Sequence, residues 1–254
     1  MLDAYPRSIQ YYRDKHMEAV IIPTCVPHNH DDLVAKIEEI RGFSHHIHID
    51  IDDGILTREL SWPYEGEGKW SRSGESVVPL DRALDKSGDN FLMQLHLMVS
   101  EPREIGEFFM RLGASSLILH VESCDGDVDA IRSTVDAWRV RGVREIGLAI
   151  LLDTPTANLD PLLPSCDFVH VLSVADIGAQ GAPFDSRAID RVKELSVRFP
   201  SYPVSVDGGI SLTNIASLAH AGASRFSVGS AISTAADPMQ AYRQLQEAAQ
   251  SALQ

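Results

Sequence analysis

The segment FLMQLHLMVSEPREIGEFFMRLGASSLILHVE, residues 91–122, holds one complete structural unit and the start of the next. Its opening run, FLMQLHLMV, has the length and apolar character of a buried strand. Ser100 followed by Pro102 is a helix-start signal, because a hydroxyl can cap the free amides and proline's fixed φ suits the first turn. An amphipathic stretch of about three turns follows. Gly113 then marks a left-handed cap, and SSLILHVE opens the next strand. The same unit recurs from Glu18 onward, with apolar runs AVIIP, HHIHIDI, FLMQLHLMV, SSLILHVE, EIGLAIL, DFVHVLSV, PVSVD and RFSVG. Thr154 with Pro155 and Asp237 with Pro238 repeat the start signal, and Gly142 and Gly222 repeat the stop.

Eight strands alternating with helices in 254 residues predict an α/β protein with a (β/α)8 TIM-barrel architecture. A doubly wound open sheet shares the local pattern but ordinarily stops at about six or seven strands. No linker or low-complexity tract divides the chain, so residues 18–254 are expected to form a single barrel domain, with residues 1–17 as an N-terminal extension packed over it. The longest connection, residues 53–78, holds WPYEGEGKWSRSG and follows the second strand. It falls on the face where barrels carry their active sites and is a candidate lid, with Trp62 and Trp70 placed to cover a ligand or form a dimer contact.

Composition narrows the function. With 22 basic and 36 acidic residues the formal charge is −14, a field that disfavours nucleic acid. The 44% hydrophobic and 23% charged content is that of an ordinary globular protein. No apolar run is long enough to span a bilayer. Cys25, Cys124 and Cys166 are widely spaced, without a Cys-x-x-Cys pair, and read as reduced thiols of a cytoplasmic protein. The N-terminal stretch lacks the apolar core and cleavage site of a secretory signal.

The chemistry concentrates at strand ends. Along HIHIDIDDG, Ile47, Ile49 and Ile51 alternate with His48, Asp50 and Asp52, so the isoleucines should face the helices and the polar set should face the barrel interior. His96 on the third strand and Asp207 at the end of the seventh converge on the same mouth. Burying these groups without partners would cost several kcal/mol, and one divalent metal ion, Zn, Fe, Mn or Co, would satisfy them. Glycines after the last two strands, in DGGI and VGSAI, offer amides for an anion at Gly208, Gly209, Gly229 and Ser230. His28 and His30 could pair on a metal but fit better in a solvated loop with a helix cap at Asp31. The faces of His120 and His170 are open.

These motifs resemble the ribulose-phosphate 3-epimerase family. Its His-x-Asp-x-Met-Asp-Gly is matched by His48, Asp50, Asp53 and Gly54, its His-Leu-Met-Val by His96 to Val99, and its Val-Asp-Gly-Gly-Ile by Val206 to Ile210. Gly229 to Ile232 match its Gly-Ser-Ala-Ile, and Pro23 and Thr24 match its Pro-Ser, so the likeness runs from about Val20 to Ile232. The resemblance implies a metal-dependent isomerase of carbohydrate metabolism, most simply converting D-ribulose 5-phosphate to D-xylulose 5-phosphate in the pentose phosphate pathway. It implies one divalent metal on His48, Asp50, His96 and Asp207, with Asp50 and Asp207 as acid and base through an enediolate. It also implies substrate contacts at Thr24, Met98, Gly178 and Gly181, a small phosphorylated sugar as partner, and a homo-oligomer.

The chain departs from the family pattern in three places. Asp52 replaces the methionine and is a candidate specificity residue, expected to pair with Arg58, Lys69 or Arg72 or to meet a substrate hydroxyl. The Phe-Val-Pro-Asn stretch after strand two is missing. The loop after strand six reads ADIGAQG, keeping Gly178, Gln180 and Gly181 but one residue shorter. Another ketose phosphate, hexulose or tetrulose, is therefore an alternative substrate. A non-catalytic sugar-phosphate-binding barrel is an alternative of another class, and a lysine-dependent decarboxylase or aldolase would need an amine at a strand end, where none is expected.

Overall fold

A computed structural model describes residues 18–70, 91–174 and 183–254. The expected N-terminal extension, Arg72, and the loop glycines Gly178 and Gly181 with Gln180 lie outside the described residues. The barrel strands are β1 (Val20–Cys25), β2 (His46–Asp52), β5 (Leu92–Met98), β6 (Ser116–His120), β7 (Glu145–Ile150), β8 (Phe168–Leu172), β9 (Val204–Asp207) and β10 (Ala223–Val228). They close in the order β1-β10-β9-β8-β7-β6-β5-β2, all parallel, and every apolar run identified in the sequence supplies one of them. A small hairpin, β3 (Tyr64–Gly66) and β4 (Lys69–Trp70), lies outside the barrel.

Parallel closure buries both faces of each strand. Ile47, Ile49 and Ile51 are fully buried in the outer shell with Leu33 and Ile37 of helix α1 (His30–Arg41), as alternation requires. Helices α2 (Pro102–Arg111), α3 (Val128–Val140), α4 (Arg187–Arg198), α5 (Ile215–His220), α6 (Ser230–Ser233) and α7 (Pro238–Ala252) cover the rest of the wall. Gly113, Gly142 and Gly222 follow helices at positive φ, as their sequence positions indicate. Asp237 caps α7 by accepting the Gln240 N–H at 2.9 Å.

Three expected caps differ. Asn29, not Asp31, caps α1, accepting the Asp32 N–H at 2.9 Å. Glu101 occupies the cap position of α2, because Ser100 is drawn to Asp53 instead. Thr154 and Pro155 precede no α-helix; Thr156–Leu159 and Leu163–Ser165 are single 3₁₀ turns, since Pro161 and Pro164 break any longer ladder.

The segment after β2 is tied down rather than free. Asp53 Oδ2 accepts the Ser100 N–H at 2.6 Å and its hydroxyl at 2.8 Å, while Oδ1 accepts the Ile55 and Leu56 N–H groups at 2.8 and 2.9 Å. Trp62 packs on Phe108 and Phe109 and Trp70 on Phe108, with centroids 5.3 to 6.0 Å apart. Both rings therefore rest on the side of α2.

Candidate active site

The register of β2 against β5 sets Asp50 beside His96 and Asp52 beside Met98. Asp207 closes β9, three strands away around the barrel. Asp50 Oδ1 lies 3.2 Å from His48 Nε2 and 3.0 Å from His96 Nδ1. Asp207 Oδ2 lies 3.8 and 3.4 Å from the same two nitrogens. The four residues expected to converge do so, and two carboxylates flank one pair of imidazoles inside the barrel.

The remaining ring nitrogens are anchored by neighbours. His48 Nδ1 donates to Gln94 Oε1 at 2.8 Å and lies 3.1 Å from Ser227 Oγ. Gln94 donates to Ser116 Oγ at 3.2 Å, Ser116 donates to Glu145 at 3.0 Å, and Glu145 takes a two-pronged bond from Arg225 at 2.7 and 3.0 Å. His96 Nε2 meets His120 Nε2 at 2.8 Å, and His120 Nδ1 reaches Glu122 at 3.2 Å. Glu122 is held in turn by the Leu151 N–H and the Thr154 hydroxyl. His120 and His170 thus both face the interior.

These surroundings set the charges. Burial pushes the Asp50 carboxyl up, but bonding to and the charge of His48, then His96, outweigh it and keep Asp50 well below the usual carboxylate range. Burial lowers His96, yet Asp207 and Asp50 raise it to about 9. For His170, burial and then the neighbouring His96 and His48 depress proton affinity well below the ordinary value. The site draws in positive charge, and the His96 proton supplies part of it.

The donor set fits a divalent cation. The ring nitrogens of His48 and His96 stand close to oxygens of both Asp50 and Asp207, a grouping of donor atoms that a cation among them would stabilise. Ligand atoms of His48, His96, His170 and Asp207 all lie within 4.8 Å of one another. Imidazole nitrogen with carboxylate oxygen suits zinc, iron, manganese or cobalt.

Asp52 is fully buried and neither carboxylate oxygen has a hydrogen-bond partner, so the expected pairing with Arg58 or Lys69 is not made. Burial, then the charge of Asp50, pushes its carboxyl up to about 8. The Thr57 hydroxyl, which offsets part of this, donates to the Glu59 carbonyl at 3.1 Å. Burial and the neighbouring Asp50 charge thus favour the protonated form of Asp52. A carboxyl that binds its proton more tightly when folded favours the native state fully below its ordinary value near 4, and loses that contribution as pH rises through about 8. Metal-free protein should therefore lose several kcal/mol from this source between those limits, and Asp52→Asn should flatten the loss. Urea midpoints of both proteins at the two pH values measure it; parallel curves would show that Asp52 carries no such burden.

Of the remaining expected contacts, Thr24, Met98, Gly208, Gly209, Gly229 and Ser230 lie among the described residues. Met98 is buried with Leu172 and Val174. Gly208 and Gly209 have φ of +107° and +62°, and a Cβ on them would come within 2.7 Å of Val174 and 2.6 Å of Phe184, so the fold itself demands glycine there. A Cβ on Gly229 would meet Thr24 Oγ1 at 2.7 Å, which places the ends of β1 and β10 side by side. Lys69 falls on the outlying hairpin, and Lys36 bonds Asp32 and the Val26 carbonyl, both at 2.9 Å, so neither offers an amine to the site. His28 bonds Asp32 at 3.1 Å, and His30 stands edge-on to Trp62.

A profile of the ribulose-phosphate 3 epimerase family matches residues 77–233. The chain belongs to this family. A ribulose-phosphate 3-epimerase of Treponema pallidum is 32% identical over 73% of this chain and 77% of its own length. The cytoplasmic isoform of Oryza sativa is 26% identical over 87% of this chain and 90% of its own. The chain is thus a carbohydrate epimerase acting on a ketose phosphate. Among solved structures, 3-hexulose-6-phosphate synthase from Salmonella typhimurium aligns with a TM-score of 0.65 at 16% identity, over 90% of this chain and 97% of that one. KGPDC from Streptococcus mutans, solved in complex with a small phosphorylated sugar, aligns with a TM-score of 0.67 at 14% identity, over 92% and 98%. These two share the barrel fold. Among the described residues no helix is long and apolar enough to cross a membrane.

Proposed function

We propose that this family member inverts C3 of D-ribulose 5-phosphate to give D-xylulose 5-phosphate. The observation that carries the reading is the pair of buried carboxylates, Asp50 and Asp207, approaching the same two imidazole nitrogens from separate strands. His48, Asp50, His96 and Asp207 would hold a divalent ion, which when bound supplies Lewis-acid polarisation of the substrate carbonyl. Asp50, kept ionised by His48 and His96, takes the C3 proton from one face and leaves an enediolate. Asp207 returns a proton to the opposite face, and the reverse reaction exchanges the two roles. Gln94 and His120 keep the ligand imidazoles oriented throughout. Amides of Gly208, Gly209, Gly229 and Ser230 take the phosphate, while Thr24, Met98, Gly178 and Gly181 complete the sugar site; the phosphorylated sugar held by a barrel of the same fold is consistent with such a ligand here.

The test is proton NMR of D-ribulose 5-phosphate in heavy water. The native protein should place deuterium at C3 and form the xylulose epimer. Chelation should stop both, and adding back zinc, iron, manganese or cobalt should restore them. Full turnover by protein shown free of metal would overturn the metal's part, and no exchange with any ketose phosphate would leave the non-catalytic barrel.

Neutral Asp52 can donate its O–H to a substrate hydroxyl, where the family pattern has a thioether. Asp52→Met should therefore shift the relative rates on pentulose, hexulose and tetrulose phosphates by about tenfold, the worth of one hydrogen bond. The dephosphorylated sugars, assayed beside them, should be very poor substrates in kcat as well as KM. An unchanged ranking in Asp52→Met removes Asp52 from specificity.

A further inference from the structure

His170 lies on β8, on the opposite side of the barrel from β2, and the reaction outlined above gives it no task. It is fully buried. Its Nδ1 is bonded to Ser205 Oγ at 3.0 Å, and its Nε2 is buried with no hydrogen-bond partner. Every other ring nitrogen in the cluster is engaged: both of His48, both of His96 and both of His120. A histidine kept merely as core would use both nitrogens, because an unmet acceptor in a dry interior is costly.

Position agrees with this. The His170 ring stands 4.8 Å from His96 and 5.7 Å from His48, centroid to centroid. Its ligand atom belongs to the set that shares a 4.8 Å sphere of mutual approach with His48, His96 and Asp207. Orientation agrees as well. Each of the three imidazoles spends one nitrogen on an outer partner, namely Gln94, His120 or Ser205, and leaves the other for the centre. That is the arrangement by which proteins aim histidines at a metal ion.

We propose that His170 is a direct ligand, so that the centre is built from three histidines, His48, His96 and His170, together with Asp50 and Asp207. The inference rests on the metal reading above. A third imidazole shifts the donor set toward nitrogen, favouring zinc, cobalt or iron over magnesium, and fills a position that would otherwise be left to solvent or substrate.

The experiment uses cobalt(II) alone on the full chain stripped with a chelator. A ligand imidazole bound to cobalt shows its remaining N–H as a strongly shifted, exchangeable proton resonance. Three such resonances are expected, from Nδ1–H of His48, Nε2–H of His96 and Nδ1–H of His170. His170→Leu should lose one of them and bind cobalt about 10- to 100-fold more weakly in competition with a chromogenic chelator. Two resonances in the native protein, or undiminished cobalt affinity in the folded variant, overturn His170 as a ligand and leave the other four in place. Failure of the native protein to bind cobalt at all overturns this inference and the metal reading together. The count in the native protein decides the matter even if the variant does not fold.

Discussion

Asp207→Asn is expected to abolish net epimerisation, lowering kcat by about 10³-fold or more, while hydrogen exchange at C3 survives in one epimer only. General acid-base groups are worth about 10² to 10⁴ in rate, and here each carboxylate would serve one face of the substrate. With Asp50 intact, the epimer whose C3 proton faces Asp50 still trades it for solvent deuterium. Asp50→Asn should show the mirror pattern, exchange starting from the other epimer. Both residues also approach His48 Nε2, a proposed metal ligand, so metal content has to be measured beside the rates. A fully metallated Asp207→Asn protein turning over at the native rate would falsify the two-carboxylate mechanism.

The placement of the candidate site was legible in the sequence because β2 advertises its two faces. Isoleucine alternates with His48, Asp50 and Asp52, so parity alone separates shell from interior. Strands β6 and β8 carry apolar residues at both parities, as strands buried on both sides do, and the faces of His120 and His170 could not be read from them. The register at closure decides it, setting His170 opposite Ser205 and His120 opposite Ala149. A histidine two residues before Glu122 in SSLILHVE was the available signal for His120. Asp52 was legible in position but not in charge, because burial, which the sequence does not show, is the first cause that pushes its carboxyl up.

Glu145→Ala should be strongly destabilising, costing about 3–5 kcal/mol. Glu145 on β7 and Arg225 on β10 form a two-pronged pair at 2.7 and 3.0 Å across the barrel, and the guanidinium also lies 4.2 Å over the Phe168 ring. Removing the carboxylate takes both prongs of the pair away from a buried guanidinium. In a domain of this size the melting temperature should fall by about 10 °C. Replacing both residues by apolar ones, Glu145→Leu with Arg225→Met, should recover most of the loss, because breaking a buried pair from one side costs more than replacing it whole. Denaturant midpoints of the three proteins read this directly. A Glu145→Ala midpoint equal to the native one would show the pair to be energetically idle. The same substitution frees Ser116 and, through it, Gln94, so His48 should lose its fixed tautomer and the centre should bind cobalt less tightly.

The four donors gathered by Asp53 have a consequence for how such a protein can change over generations. By bonding Ser100 on one side and the turn at Ile55 and Leu56 on the other, this carboxylate ends β2 at a fixed point and fastens it to the exit of β5. Whatever length of chain follows Gly54 leaves from the same place and in the same direction. Insertions there can accumulate without moving Asp50 or His48, so the wall of the mouth can be rebuilt in small steps while the reacting groups stay where they are. The long, altered connection in this chain is what such a clasp permits: new contacts for a different occupant can be tried at the rim without first dismantling the centre.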